Sequence, residues 1–91
     1  MADDQHTNSC YGNIRTALDI GRAIRVRRRE GKIKQDAAAS LCGVGAKFLS
    51  QLENGKETAE LGKALQVLRR MGLELYIFPR SANPLEKADQ C

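Results

Sequence analysis

Residues 35–56 read QDAAASLCGVGAKFLSQLENGK, and this run contains two short helical patterns separated by a tight turn. Residues 35–42 are rich in alanine and other good helix formers, and Gly43 follows them as a stop. Residues 45–53 form the second pattern, which ends at the Asn54–Gly55 turn. Two helices of about two turns, joined by a short glycine-containing connection, predict a helix-turn-helix motif.

Helical patterns also precede and follow this motif. Thr16 and Asp19 form a candidate capping box that opens a helix ending at Gly31. Thr58 can cap a fourth helix, which Gly72 ends, and the apolar residues between them recur at helical spacing. This apolar stripe consists of Leu61, Ala64, Leu65, Leu68 and Met71.

The predicted helices provide aliphatic side chains for one core. Aromatic residues are 4% of the chain and tryptophan is absent, so the core depends on leucine, isoleucine, valine and alanine. A chain of 91 residues forms one domain with a core of modest size. The residues expected to point inward together are Ile24, Ala38, Ala39, Cys42, Val44, Leu49 and Leu52.

After Gly72 the apolar period changes from 3.6 to 2, so residues 73–78 predict one strand, which Pro79 closes. No second strand pattern occurs in the sequence, and an unpaired strand edge favours association. We therefore expect a homodimer in which this strand pairs with its copy about a two-fold axis. The expected dimerisation residues are Leu68, Leu73, Leu75, Tyr76 and Ile77. The resulting organisation is a flexible arm over 1–13, a helix-turn-helix domain over 14–72, a dimerisation strand over 73–79 and a flexible tail over 80–91.

Positive charge is concentrated in one segment. The net charge is +4, yet residues 22–36 contain seven basic and two acidic side chains, a local net of +5. A local basic patch favours a polyanionic partner.

No apolar run approaches the ~20 residues of a membrane span, and residues 1–9 lack the apolar stretch of a secretory signal, so we expect a cytoplasmic protein.

Catalytic and metal-binding patterns are missing from the sequence. Its three cysteines and one histidine do not have zinc-ligand spacing, and Cys42 is expected to be a small core side chain. There is no serine–histidine–aspartate set, no pair of carboxylates in an apolar setting and no phosphate-cradling glycine loop. We therefore expect no enzyme activity, no metal and no small-molecule cofactor. Scarce aromatic residues also disfavour single-stranded nucleic acids.

The second helix of the motif leaves one polar face open for base contacts. Gln51 can pair bidentately with adenine, and Lys47 can donate to guanine O6 and N7. The predicted base-facing residues are Gly45, Ala46, Lys47, Ser50 and Gln51. Backbone amides at the start of the first helix favour a phosphate, and basic residues lie near the same end. The predicted phosphate-contacting residues are Lys34, Gln35, Arg28, Asn54 and Lys56.

Three runs of the sequence, IGRAIR at 20–25, QDAAA at 35–39 and GVGAKFLSQLENGK at 43–56, resemble the Xre/Cro-type helix-turn-helix family. The run LQVLRRMGLEL at 65–75 is similar to the HipB-like antitoxins within it. The resemblance implies a mainly α, four- to five-helix, lambda-repressor-like domain. It also implies a homodimeric repressor of palindromic double-stranded operators, encoded beside a HipA-like kinase toxin that it neutralises.

The resemblance assigns roles to individual residues. Gln35 matches the phosphate-clamping glutamine of the family, and residues 45–47 and 50–51 match its groove-facing positions. Glu53 matches a glutamate that we interpret as structural, holding the turn that follows. Three positions depart from the family pattern: Lys34 and Gly45 replace capping residues, and Ala38 replaces a larger leucine. The missing cap at Lys34 is expected to cost about 1 kcal/mol.

Two other functions stay open at the level of sequence. A phage-type or restriction-modification controller would share the fold but have no toxin partner. A protein-interaction module that does not bind DNA is a further alternative. A gel shift with upstream DNA distinguishes a repressor from an interaction module that does not bind DNA. The identity of the neighbouring gene distinguishes an antitoxin from a controller without a toxin partner.

Overall fold

The computed structural model describes residues 11–82. Its α-helices are α1 (Ala17–Glu30), α2 (Gln35–Cys42), α3 (Ala46–Glu53) and α4 (Leu61–Arg70), and a 3₁₀ turn follows at Arg80–Ala82. The predicted mainly α helix-turn-helix fold is therefore confirmed, with α2 and α3 as the motif. The predicted arm over 1–13 and tail over 80–91 lie outside the described residues except at 11–13 and 80–82, and their flexibility stays a prediction.

The capping box predicted for α1 is present. Thr16 Oγ1 accepts a hydrogen bond from the Asp19 backbone N at 3.1 Å, and Asp19 Oδ2 accepts one from the Thr16 N at 3.0 Å. The Arg15 N also donates to Asp19 Oδ2, at 2.8 Å. These bonds, that from Arg15 first, hold the pKa of Asp19 below its ordinary value despite some desolvation. The box satisfies amides that the first turn would otherwise leave unpaired.

The predicted end of α1 at Gly31 is confirmed, although the left-handed residue of the turn is the next one. Gly31 does follow the last helical residue, but its φ is −84°, a value open to any residue. The left-handed residue is Lys32, with φ 55°. Its N donates to the Arg29 carbonyl at 3.0 Å, and the next amide, of Ile33, reaches the Arg28 carbonyl at 3.2 Å. The helix therefore ends in a Schellman-type turn with a lysine where glycine is usual.

The start and the inward face of α4 correct two predictions. Thr58 is not its cap, because Glu60 holds the N-cap position and makes no side-chain cap bond. Val67, which the predicted stripe omitted, is fully buried, whereas Leu61 and Leu65 are 66% and 38% exposed. The buried face of α4 consists of Ala64, Val67 and Leu68. This face is turned inward because α4 packs over α2.

The predicted core is confirmed at every position. Its members Ile24, Ala38, Ala39, Cys42, Leu49 and Leu52 are buried, and Val44 packs against them partly buried. Burial raises the pKa of the Cys42 thiol, as expected for a small core side chain.

Helix α1 lies close to the end of α3 at Gly21. A Cβ added there would stand 2.6 Å from the Glu53 carbonyl oxygen and would clash with that of Leu52 as well. This contact joins α1 to α3 and limits how closely the two helices approach each other.

Residues 73–78, here called the C-terminal segment, form neither a helix nor a strand ladder in the single chain. Leu73 is half-buried against the core, but the later apolar side chains are open to solvent, with Ile77 at 92% exposure and Leu75 at 45%. A ladder needs a second strand, which a single copy does not provide, so the predicted pairing stays a prediction. No helix within residues 11–82 is long and apolar enough to cross a membrane.

Candidate nucleic-acid interface

Helix α3 presents a polar face opposite its buried leucines. Gly45 is its N-cap, with no side-chain cap bond and no heavy atom within 4 Å of where a Cβ would lie. Ala46 and Lys47 are exposed, while Ser50 and Gln51 are half-buried on the next turn. On the other side, Leu49 and Leu52 fill the core. The five predicted base-facing residues thus lie on one accessible side of α3 and its start.

Behind this face lies a buried carboxylate, Glu53, whose side chain has no exposed area. It accepts hydrogen bonds from Arg28 Nε at 2.7 Å and Arg28 Nη2 at 3.0 Å. Gln35 Nε2 donates to it at 3.1 Å, and Arg25 Nε at 3.4 Å. We call Glu53, Arg25, Arg28 and Gln35 the Glu53 cluster. It ties α1 and the start of α2 to the end of α3.

The cluster keeps Glu53 ionised. Burial by itself would raise the pKa of this carboxyl, but the hydrogen bond and charge of Arg28, with the bonds from Gln35 and Arg25, lower it below its ordinary value. The bond to Glu53 in turn raises the pKa of Arg28 against its own desolvation. Within residues 11–82 no buried side-chain nitrogen or oxygen lacks a hydrogen-bond partner.

Arg28 is not placed as a phosphate contact, which corrects the prediction from sequence. Its side chain is 12% exposed, and besides Glu53 it donates through Nη1 to the Ile33 carbonyl at 2.9 Å. A guanidinium held by two acceptors inside the fold has a structural role. Glu53 is structural as expected, but its partners lie on α1 and α2 rather than on the turn that follows α3.

Arg25 is a residue that the sequence interpretation missed. Its Nη2 donates to Asn54 Oδ1 at 3.0 Å, while Asn54 Nδ2 donates back to the Ser50 carbonyl at 2.9 Å. Asn54, a predicted phosphate contact, is exposed but is thus oriented by two protein partners. The signal was available: Arg25 and Arg28 are three residues apart and share one face of α1.

The start of α2 has an unpaired cap and an exposed cation. Lys34 occupies the N-cap in an extended conformation and makes no side-chain cap bond, so the expected missing cap is confirmed. Its ammonium group is therefore available at the helix N-terminus. Gln35, the next residue, is half-buried and uses one Nε2 hydrogen on Glu53, which leaves its second hydrogen for another acceptor.

Lys56 lies on the turn that follows α3. It is exposed, and its Nζ donates to the Gln51 Oε1 at 3.2 Å. Gln35 contacts Glu53, the last residue of α3, and Asn54 and Lys56 follow that helix directly. The predicted phosphate contacts other than Arg28 therefore lie around the C-terminal end of α3, and their contact with phosphates stays a prediction.

Comparisons with known proteins agree with this geometry. No family model matches the chain. The uncharacterized HTH-type transcriptional regulator y4mF of Sinorhizobium fredii is 45% identical over 64 residues, which are 70% of this chain and 84% of the relative. At this identity and coverage the two chains share a family.

Solved structures show the same fold at lower identity. A HipB complex with an O4 20mer and a complex of a HipB variant with an O2 20mer each have a TM-score of 0.69 and 17% identity. They match 77% of this chain and 99% and 97% of their own. A structure named MDT protein has a TM-score of 0.68 at 17% identity and the same 77% coverage. Members of such a family are regulators and not enzymes, as the sequence predicts. The chain therefore belongs to the family of HTH-type transcriptional regulators, and its fold is the one seen in HipB.

Proposed function

We propose that this DNA-binding regulator is a sequence-specific repressor that inserts α3 into the major groove of double-stranded DNA. The observation that carries the proposal is the accessible polar face of α3, beside which lie two exposed lysines, Lys34 and Lys56. The fold shared with HipB in complex with 20mers supports it. Base edges would be contacted by Gly45, Ala46, Lys47, Ser50 and Gln51, and phosphates by Lys34, Gln35, Asn54 and Lys56.

The proposed active form is a homodimer on a palindromic operator. A groove of about 380 Å³ lies between α1, α4 and the C-terminal segment, and Ile20, Ala23 and Leu68 are part of its lining. Together with the exposed Leu75 and Ile77, it offers an apolar surface that a second copy can cover. Antiparallel pairing of two such segments would hold the two α3 helices about 34 Å apart, one turn of DNA.

A partnership with a kinase toxin is the finer part of the proposal, and it is supported by the likeness to HipB and by the sequence run at 65–75. In that role the protein would act in the cytoplasm, repress its own operon and neutralise a HipA-like kinase. Co-expression with the neighbouring gene product should give a co-purifying complex, and loss of this chain should arrest growth. A harmless neighbour that never co-purifies would leave a controller repressor without a toxin.

Salt dependence tests the duplex-binding proposal directly. If each protomer neutralises about four phosphates, the logarithm of affinity should fall against the logarithm of salt concentration with a slope of roughly −7 for the dimer. Fluorescence anisotropy with a labelled duplex of upstream DNA measures this slope. A slope near zero would contradict duplex binding.

A further inference from the structure

We propose that Lys56 sets the base preference of Gln51, by holding its carboxamide so that only hydrogen-bond donors face the DNA. Gln51 would then select guanine over adenine. The inference rests on the proposed function, because it needs α3 in the major groove. It differs from the prediction made from the residue type alone, in which glutamine pairs bidentately with adenine.

The backbone fixes the position of Lys56. Helix α3 ends in a turn with Gly55 in the left-handed region, at φ 84°. The Gly55 N donates to the Leu52 carbonyl at 3.0 Å, and the Lys56 N donates to the Gln51 carbonyl at 3.0 Å. This pair of bonds is a Schellman motif, which folds the chain back over the last turn. Lys56 is thereby held beside Gln51 by main-chain bonds and not by a chance side-chain contact.

The side-chain contact defines how the carboxamide is turned. Lys56 Nζ lies 3.2 Å from Gln51 Oε1. An ammonium group has three donors and no acceptor, so the amide atom that it contacts must be the oxygen. One of the two lone pairs of the Gln51 oxygen is then engaged within the protein, whereas both hydrogens of its NH₂ group are left for a ligand.

The neighbouring side chain on this face has the same polarity. Lys47 is exposed one turn earlier on α3 and is also a donor without an acceptor. Ser50 has a hydroxyl that can serve either role, and Ala46 has no polar group. The accessible side of α3 is therefore dominated by donors.

Base edges in the major groove differ in how well they pair with a surface of hydrogen-bond donors. Guanine offers two adjacent acceptors, N7 and O6, whereas adenine offers N7 beside an amino donor. Pairing glutamine with adenine requires the amide oxygen as an acceptor, and the Lys56 ammonium group already uses one lone pair of that oxygen and places a positive charge beside it. An outward NH₂ group would meet the adenine amino group donor to donor. We expect a preference for guanine over adenine of about tenfold at the contacted position, within the usual range for one specific contact.

Selection from a randomised duplex library tests the inference with the full chain. The native protein should enrich guanine at the position read by Gln51 in each half-site. Lys56→Met should raise the adenine share about tenfold at that position and leave the other positions unchanged, because the amide oxygen is released. Lys56→Arg, which keeps a donor, should retain the guanine preference.

Two further variants make the result specific. Gln51→Ala should abolish the preference at the same position with or without Lys56→Met, which assigns that position to Gln51. Lys63→Met removes an equal charge from α4, where Lys63 lies 5.8 Å from the Phe48 ring centroid, and should leave the selected sequence unchanged.

Two outcomes would overturn the inference. The first is a native preference for adenine at the Gln51 position. The second is an unchanged selected sequence with Lys56→Met and uniformly weaker binding, which would make Lys56 a phosphate contact alone. If the native protein enriched no sequence at all, the proposed function itself would be contradicted, and the inference would fail with it.

Discussion

Glu53 is the only buried charged residue among residues 11–82, so its contribution to stability depends on its ionisation. Because its pKa is lowered in the folded chain, the stabilisation is present above the ordinary carboxyl pKa. It is lost as the pH falls through the lowered value in the folded protein. Acid should therefore weaken the link between α1, α2 and α3.

Glu53→Gln removes this charge while keeping the shape of the side chain. At pH 7 the variant should lose about 3 kcal/mol of unfolding free energy, because Arg28 is left nearly buried without its carboxylate. Its stability should also change less with pH below about 5, where the unfolded-state carboxyl titrates. Urea denaturation at several pH values measures both effects.

Glu57→Gln is the matched control, because Glu57 is exposed on the turn before α4. It should change stability by less than about 0.5 kcal/mol. A Glu53→Gln variant as stable as the native chain would contradict the structural role of the Glu53 cluster. The capping carboxylate of Asp19 also has a lowered pKa, so some acid sensitivity should remain in both variants.

At the level of elements, the start of α2 combines a poor cap with a useful charge. Lys34→Thr supplies an oxygen that can accept from the first-turn amides and should raise the free energy of unfolding by about 1 kcal/mol. The same change removes a proposed phosphate contact, so affinity should fall alike for operator and random duplexes. Stability and binding should thus move in opposite directions, as urea denaturation and anisotropy can measure. A gain in both would show that Lys34 does not contact DNA.

The junction of α1 and α3 depends on the missing side chain at Gly21. Gly21→Ala should cost about 3 kcal/mol or more, because backbone atoms of Leu52 and Glu53 cannot move aside without displacing α3. Gly62→Ala is the matched control on α4, where the nearest atom to an added Cβ is the end of the Glu60 side chain at 4.0 Å. That change should instead stabilise the chain by about 0.5–1 kcal/mol. Thermal unfolding followed by circular dichroism compares the two.

For the whole molecule, the C-terminal segment determines the proposed assembly. Leu75→Lys places a charge on an apolar surface that a second copy is proposed to cover, so it should give monomers with weakened operator binding. Sedimentation at micromolar concentration measures the change. Leu41→Lys alters a leucine on α2 that is 64% exposed and does not line the proposed groove, and it should leave the assembly intact. A native chain that sediments as a monomer and still binds operator would rule out the dimer.

The sequence by itself determined the helices and the core, because both depend on local signals. The capping box at Thr16, the glycine after α2 and the apolar spacing of residues 24–52 act over one or two helical turns. The polar face of α3 is also a local feature. Once the core positions of this short helix are assigned, the remaining positions form its exposed face. The resemblance to a known family pointed to the same elements and added the expected partners.

Only the tertiary structure decided how the charged residues pair. Arg28 belonged to a basic patch in the sequence, yet its partner Glu53 lies 25 residues away. Val67 faces the core, and Leu61 faces solvent, because of how α4 packs on α2. The orientation of the Gln51 amide depends on the turn that returns Lys56 to it. Local patterns determine which face of a helix is apolar, but the partner of a polar group depends on which helix the fold brings against it.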